Sequence, residues 1–262
     1  MDLGITGRKA LVNGGSAGLG KGSAKALAFE GVDLYITARG KDRLEATAEE
    51  IRRDTGATVT PIVADHASDE GREIILAACP NPDIIVATCT PAPFTPNFRE
   101  VTVDQWKEHL ATGLISPIEF IRATIDGMCE RGFGRIVNIS TGASKFPAEL
   151  RTLSGPPRAA LSNYTSAISK AVAKYNVTIN NLLPGMHHTA TAAERFGKIA
   201  EEQGTTYEQV VDNWVREWKI PAERFGSIEE FGAICALFCS CHAGYIVGQS
   251  IVVDGGVTNS TF

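Results

Sequence analysis

Short apolar runs alternate with longer segments of helical periodicity along almost the whole chain. Ala10, Leu11 and Val12 form a run too short for a helix, and they read as a buried strand. Val32–Ala38, Thr58–Ala64, Asp83–Thr88, Gly134–Ser140, Val177–Leu183 and Ser250–Val253 read the same way. Between them lie the helical patterns. Lys21–Glu30 is rich in alanine, and Lys41–Thr55 carries Leu44, Ala48 and Ile51 at helical spacing. Asp69–Cys79 is capped by Ser68 or Asp69. Thr102–Arg131 holds one or two helices, with Trp106, Leu110, Leu114, Ile118 and Ile121 on a common face. Arg158–Tyr175 is a helix of small and apolar residues. Ser227–Cys239 begins with Ser227 as cap and Glu230 three residues on. Strands separated by helical spans of this length predict an α/β fold, a doubly wound parallel sheet of about seven strands with helices on both faces. The chain is expected to be one domain, 1–262.

The interruptions are informative. Pro91, Pro93 and Pro96 make the stretch after the fourth strand a loop, and Gly142–Pro157 reads mostly as loop. Thr189–Lys219 is a charged helical insert carrying Trp214 and Trp218, and it breaks the strand–helix rhythm as a lid over a substrate would.

Composition narrows the function classes. A net charge of −5 and a pI near 5.6 leave no electrostatic footprint for nucleic acid. No apolar run reaches the length of a membrane span, and the first residues lack the apolar core of a signal peptide, so a cytoplasmic location is expected. The six cysteines are expected as buried thiols rather than disulfides. Cys239, Cys241 and His242 lie close together with no second ligand cluster, so no metal is expected.

The candidate chemistry starts at Lys9–Gly20, KALVNGGSAGLG. A strand, a glycine turn with Gly14, Gly18 and Gly20, and a helix start follow one another, with Ser16 and Leu19 between the glycines. Glycine lets the backbone turn tightly beside a pyrophosphate, and the free N–H groups of the helix start favour the anion. This is a Rossmann-like dinucleotide cradle. The second strand ends Thr37-Ala38-Arg39-Gly40-Lys41, without the carboxylate that would hold ribose hydroxyls. Arg39, assisted by Lys41 and Ser16, offers a charged fork for a 2′-phosphate, so NADP(H) is the expected cofactor. Asp65 follows the third strand, where it either accepts from the adenine amine or caps the next helix.

The chain resembles the short-chain dehydrogenase/reductase family over nearly its full length, most of all the branch similar to 3-oxoacyl-carrier-protein reductases. The resemblance rests on Gly14–Gly20, GRIVNIS (Gly134–Ser140), NVTINNLLPG (Asn176–Gly185), RFGSIEEFGAICALF (Arg224–Phe238) and GQSIVVDGG (Gly248–Gly256). It implies a nicotinamide cofactor, a carbonyl or alcohol substrate and a homo-oligomer, usually a tetramer. It also implies that Thr88, Pro184, Gly185 and Thr189 lie beside the cofactor. The family's chemistry rests on Asn, Ser, Tyr and Lys. Counted back without gaps from NVTINNLLPG, those positions fall here on Gly113, Thr141, Ser154 and Arg158. All four are substituted. The family's NNAG reads Ala87-Thr88-Cys89-Thr90, and Asn13 stands where the glycine motif begins with Thr.

The substitutions change what each position can do. Thr141 keeps a hydroxyl to orient a carbonyl oxygen. Ser154 is a short and weak acid. Arg158 stays charged, and can bind ribose hydroxyls or a substrate carboxylate. His188, beside His187 after Pro184-Gly185, is the candidate replacement acid, with a histidine's near-neutral titration. The alternative for both is a solvated loop histidine. Ser144 is a further polar candidate. Tyr164, ten residues along the helix from Ser154, is expected at a subunit interface. An NADP(H)-dependent oxidoreductase follows, with Thr141, Ser154, Arg158 and His188 as catalytic candidates. Two other readings fit the same residues. One is a cofactor-binding protein without turnover; the other is a lyase or isomerase using the same crevice.

Overall fold

A computed structural model of the chain describes residues 1–258. The strands are β1 (Lys9–Asn13), β2 (Asp33–Ala38), β3 (Val59–Val63), β4 (Ile84–Ala87), β5 (Gly134–Ile139), β6 (Val177–Pro184) and β7 (Ser250–Val253). They form one sheet in the order β3-β2-β1-β4-β5-β6-β7, and every pairing is parallel. The order reverses between β1 and β4. At such a switch point the connections leave toward opposite faces and open a crevice at the carboxyl ends of the strands.

The helices cover both faces. On one lie α1 (Gly18–Phe29), α2 (Lys41–Thr55) and the last long helix, Ile228–Cys239, over a core that includes Leu27, Leu34, Ile36, Leu44 and Phe231. On the other, α3 (Asp69–Ala78), Ser116–Arg131 and Gly155–Val172 cover Leu11, Ile75, Phe120 and Ile136. Gly22 and Gly232 let α1 and Ile228–Cys239 approach closely: a Cβ on Gly232 would stand 2.4 Å from the Gly22 carbonyl oxygen. Ser227 and Glu230 cap that helix reciprocally, and Ser68 rather than Asp69 caps α3.

Three segments carry detail that the periodicity does not give. Thr102–Arg131 is one continuous run: α4 (Val103–Leu110), a π-helical turn (Ala111–Ile115) and α5 (Ser116–Arg131). Of the expected apolar face, Ile121 is buried and Trp106, Leu114 and Ile118 are half-buried, while Leu110, next to the wider turn, is 36% exposed. Gly142–Pro157 contains two 3-10 turns and the start of α6 (Gly155–Val172), whose first turn accommodates Pro156 and Pro157. The insert is two capped helices, α7 (Ala190–Gln203) and α8 (Tyr207–Glu217), with a small core of their own around Phe196, Val211 and Phe225. The closing long helix is α9 (Ile228–Cys239). All six cysteines are free; Cys241 is exposed and Cys89 and Cys129 half-buried, so only three are buried thiols.

Candidate active site

The site begins at the turn between β1 and α1. No side chain caps α1, whose N-cap is Ala17, so its first N–H groups are free for a ligand. Gly14 has φ +69, and a Cβ on Gly20 would stand 2.3 Å from the Gly14 carbonyl oxygen and 2.8 Å from the Thr88 methyl. The loop therefore folds onto itself and onto Thr88, and side chains at these positions would fill it. Gly18, at φ +53, faces Thr189, whose side chain caps α7. The Ser16 carbonyl accepts from Thr47 Oγ1 at 3.0 Å, which ties α2 to the loop. The Leu19 side chain packs into the core, so only its backbone serves the loop.

At the end of β2, Arg39 is exposed, and among the described residues no carboxylate lies within 4.0 Å of it. Lys41 instead pairs with Glu45 along α2 at 3.8 Å. Asp65 Oδ1 accepts from the Ala67 N–H at 2.9 Å, a local turn bond that leaves the second oxygen without a hydrogen bond among the described residues.

The other end of the crevice gathers the substituted positions. Thr141 follows β5 and caps a 3-10 turn, Gly142–Ser144. Ser144 donates to the Thr141 carbonyl at 2.7 Å, so its hydroxyl is occupied by the turn. A Cβ on Gly155 would stand 2.9 Å from the Ala143 carbonyl, which sets the start of α6 against this turn. Gly142 faces the Pro184 carbonyl, and Gly185 lies against Asp254. Arg158, one turn into α6, is only 5% exposed. Its Nη1 donates to the Ser154 carbonyl at 3.2 Å and lies 3.4 Å from Ser154 Oγ, and its Nη2 donates to Cys89 Sγ at 2.8 Å. Gly113, in the π-helical turn, packs on Pro157 and Arg158.

Arg158 lines a small cleft whose polar side chains include Asn13, His66, Thr88, Cys89 and Ser116 and whose apolar ones include Ile139 and Leu161. Asn13 is 1% exposed; its Oδ1 accepts from Thr37 Oγ1, and its Nδ2 has no partner. His66 Nδ1 lies 2.7 Å from Ser116 Oγ, and burial pulls its pKa down, so the ring is neutral near pH 7. The sequence reading did not single out His66, Ser116 or Cys89 as site residues. Cys89 and Asn13 stood out only as departures from family motifs, and the π-helical turn that delivers Ser116 has no period to read.

The histidines after β6 take separate places. His188 is exposed, its Nδ1 3.0 Å from the Tyr207 hydroxyl on the lid, and no hydrogen bond joins it to Thr141, Ser154 or Arg158. His187 is 6% exposed, packed edge-on against Phe231, with its pKa lowered by burial, so the solvated-loop alternative does not hold for it. Tyr164 packs partly buried against the core of the α5 and α6 face.

Comparison with known proteins agrees with this fold. The model of the enoyl-(acyl carrier protein) reductase family matches residues 14–258. The chain is 29% identical to the NADPH-dependent reductase BacG of Bacillus subtilis, over 97% of this chain and 98% of that one. It is likewise 29% identical to the 3-oxoacyl-[acyl-carrier-protein] reductase FabG of Aquifex aeolicus, over 98% and 100%. Among solved structures, the L-sorbose reductase of Gluconobacter frateurii, complexed with NADPH and L-sorbose, superposes with a TM-score of 0.92 at 26% identity, covering 98% of both chains. The glycine cradle, the seven-stranded parallel sheet and the family match over residues 14–258 together place the chain in the short-chain dehydrogenase/reductase family.

Proposed function

We propose that the protein is an NADP(H)-dependent oxidoreductase acting on a carbonyl or alcohol substrate. One observation carries this reading: the uncapped start of α1 and the Thr141–Ser154–Arg158 group open on the same end of one sheet, across its switch point. The cradle fits a dinucleotide, because Cβ atoms at Gly14 and Gly20 would occupy it and the N–H groups of α1 are unclaimed. The backbone of Gly14, Ser16, Gly18, Leu19 and Gly20, with Thr189, would hold the pyrophosphate. Arg39 would take the 2′-phosphate and Asp65 the adenine amine, while Thr88, Arg158, Pro184 and Gly185 would border the nicotinamide riboside. When bound, the cofactor supplies or accepts a hydride at nicotinamide C4.

The chain's own residues do the remaining work. The Thr141 hydroxyl donates to the substrate oxygen and orients it. Arg158 sets a permanent positive charge beside Ser154, which stabilises negative charge developing on that oxygen. A guanidinium does not release a proton at neutral pH, so Arg158 is no relay. Ser154 would hold the water that delivers the proton, because His188 would have to leave Tyr207 to do so. The helices α7 and α8 exclude bulk water over the crevice. A homo-oligomer is part of the reading, supported by Val103 and Ile115, which the α4–α5 run leaves 69% and 45% exposed. So is a cytoplasmic location, which fits the lack, among the described residues, of a helix able to cross a membrane.

The test is NADPH oxidation by the purified protein over a panel of aldehydes and ketones. Turnover is expected, and Thr141→Ala and Arg158→Ala should each reduce it; turnover intact in both variants would overturn the site assignment. Binding without turnover is the second reading, favoured by the 3% exposure of Ser154 and by its hydroxyl having, among the described residues, the Arg158 guanidinium rather than an acid beside it. NADPH affinity with no reaction across the panel would select it.

A further inference from the structure

A pair of arginines, Arg151 and Arg195, stands over the crevice with no carboxylate paired to either among the described residues. Arg151 ends the 3-10 turn Glu149–Arg151, and its carbonyl accepts from the Ser154 N–H at 3.0 Å, so it is anchored directly to the candidate catalytic group. Its guanidinium carbon lies 4.2 Å from the centroid of the Phe94 ring. Arg195, on the lid helix α7, reaches the same ring at 4.5 Å. Phe94 belongs to the proline-rich loop after β4. Thr95 fastens that loop to the Arg151 segment, through its N–H to the Leu150 carbonyl at 3.0 Å and its hydroxyl to Thr152 Oγ1 at 2.6 Å. On the lid side Phe94 stacks on Trp214, with centroids 5.8 Å apart. One ring therefore joins the loop, the catalytic segment and the lid, and holds two cations beside it.

Arg158 adds a third charge below. Among the described residues no carboxylate lies within 4.0 Å of Arg151, Arg158 or Arg195. Glu194, next to Arg195 in sequence, is taken by Lys198 at 2.9 Å. Burial first, then the charges of Arg195 and Arg158, push the Arg151 pKa down to about 10. Like charges gathered in a half-buried place are unfavourable by themselves, and the ring offsets only part of the cost. A planar guanidinium fork matches a carboxylate or a phosphate.

Resting on the oxidoreductase reading above, we infer that the substrate carries an anionic group, a carboxylate or a phosphate, which docks between Arg151 and Arg195 beside Phe94. The lid then closes on a substrate by ion pairing as well as by apolar contact, and the reacting carbonyl is left toward Thr141.

Matched probes test this. Acetoacetate is compared with methyl acetoacetate, and dihydroxyacetone phosphate with dihydroxyacetone, as substrates with NADPH and as titrants of tryptophan fluorescence, to which Trp214 beside Phe94 contributes together with Trp106 and Trp218. At least one anionic member should be preferred about tenfold or more in kcat/KM, each charge-assisted hydrogen bond being worth that much. Arg151→Gln and Arg195→Gln should each cut the preference about tenfold. The first probe pair reports a carboxylate, the second a phosphate. Reduction of the neutral probes at rates equal to the anionic ones overturns the inference and leaves the oxidoreductase reading standing. If no probe is reduced, the fluorescence titration decides: saturable quenching by an anionic probe only, lost in Arg195→Gln, supports the anion site, and no response to either overturns it. A fall in oligomeric state in Arg195→Gln with the substrate preference retained would assign the arginines to a subunit contact and also overturn it. Unchanged NADPH affinity serves as the check that each variant is folded.

Discussion

The Arg158 guanidinium donates from Nη2 to the sulfur of Cys89 across 2.8 Å. Arg158 is buried and has no carboxylate within 4.0 Å among the described residues, so the sulfur and the Ser154 oxygens carry its hydrogen bonding. Cys89→Val removes one of these acceptors and leaves a buried charged donor unpaired. It should destabilise the protein by about 1–3 kcal/mol in urea unfolding, with Cys89→Ser closer to wild type.

Thr141 carries the orientation of the substrate oxygen. Thr141→Ala should lower kcat about 100-fold, the scale of removing one donor to a developing oxyanion, while Thr141→Ser retains most of it. Steady-state kinetics with NADPH saturating makes the comparison.

Among the described residues Arg39 has no ion-pair or side-chain hydrogen-bond partner to lose, so its removal should not affect folding. Arg39→Ala should weaken NADPH binding about 10- to 100-fold and leave NADH binding nearly unchanged, the loss expected for charge-assisted bonds to a phosphate. Fluorescence titration with the two dinucleotides reads the difference.

Glu230 lies 2.6 Å from Arg224 and accepts from the Ser227 N–H at 2.9 Å. The Arg224 bond, then the Ser227 bond, hold its carboxyl at about 2 against an ordinary 4.5. A carboxyl with a lowered folded pKa stabilises the fold above its unfolded value, and that stabilisation is lost as pH falls through the folded one. Glu230→Gln should therefore lower the Tm near neutral pH, with the gap to wild type closing between pH 4.5 and about 2.

How much of this was legible in the sequence depends on whether a segment obeys a period. The strands and capped helices did, because burial on a parallel sheet writes itself as short apolar runs and Ser227 with Glu230 marks a helix start. The cradle was legible because Gly14, Gly18 and Gly20 are required by backbone geometry. The run Thr102–Arg131 is legible as helix, but the π-helical turn inside it, which breaks the regular spacing, is not. The positions Gly113, Thr141, Ser154 and Arg158 come from counting; Gly113 and Ser154 meet Arg158 in the fold, and Thr141 starts the turn against which α6 packs. Their partners were not legible, because Cys89, His66 and Ser116 meet only through loops and the π-helical turn. The pair of arginines on Phe94 was equally hidden: its members come from three segments with no common motif.

The account stands on the dinucleotide. Calorimetric titration of the purified protein with NADPH and with NADH tests it most directly. It predicts saturable binding of NADPH in the micromolar range, with NADH clearly weaker. Absence of binding heat and of competition for either dinucleotide would contradict it.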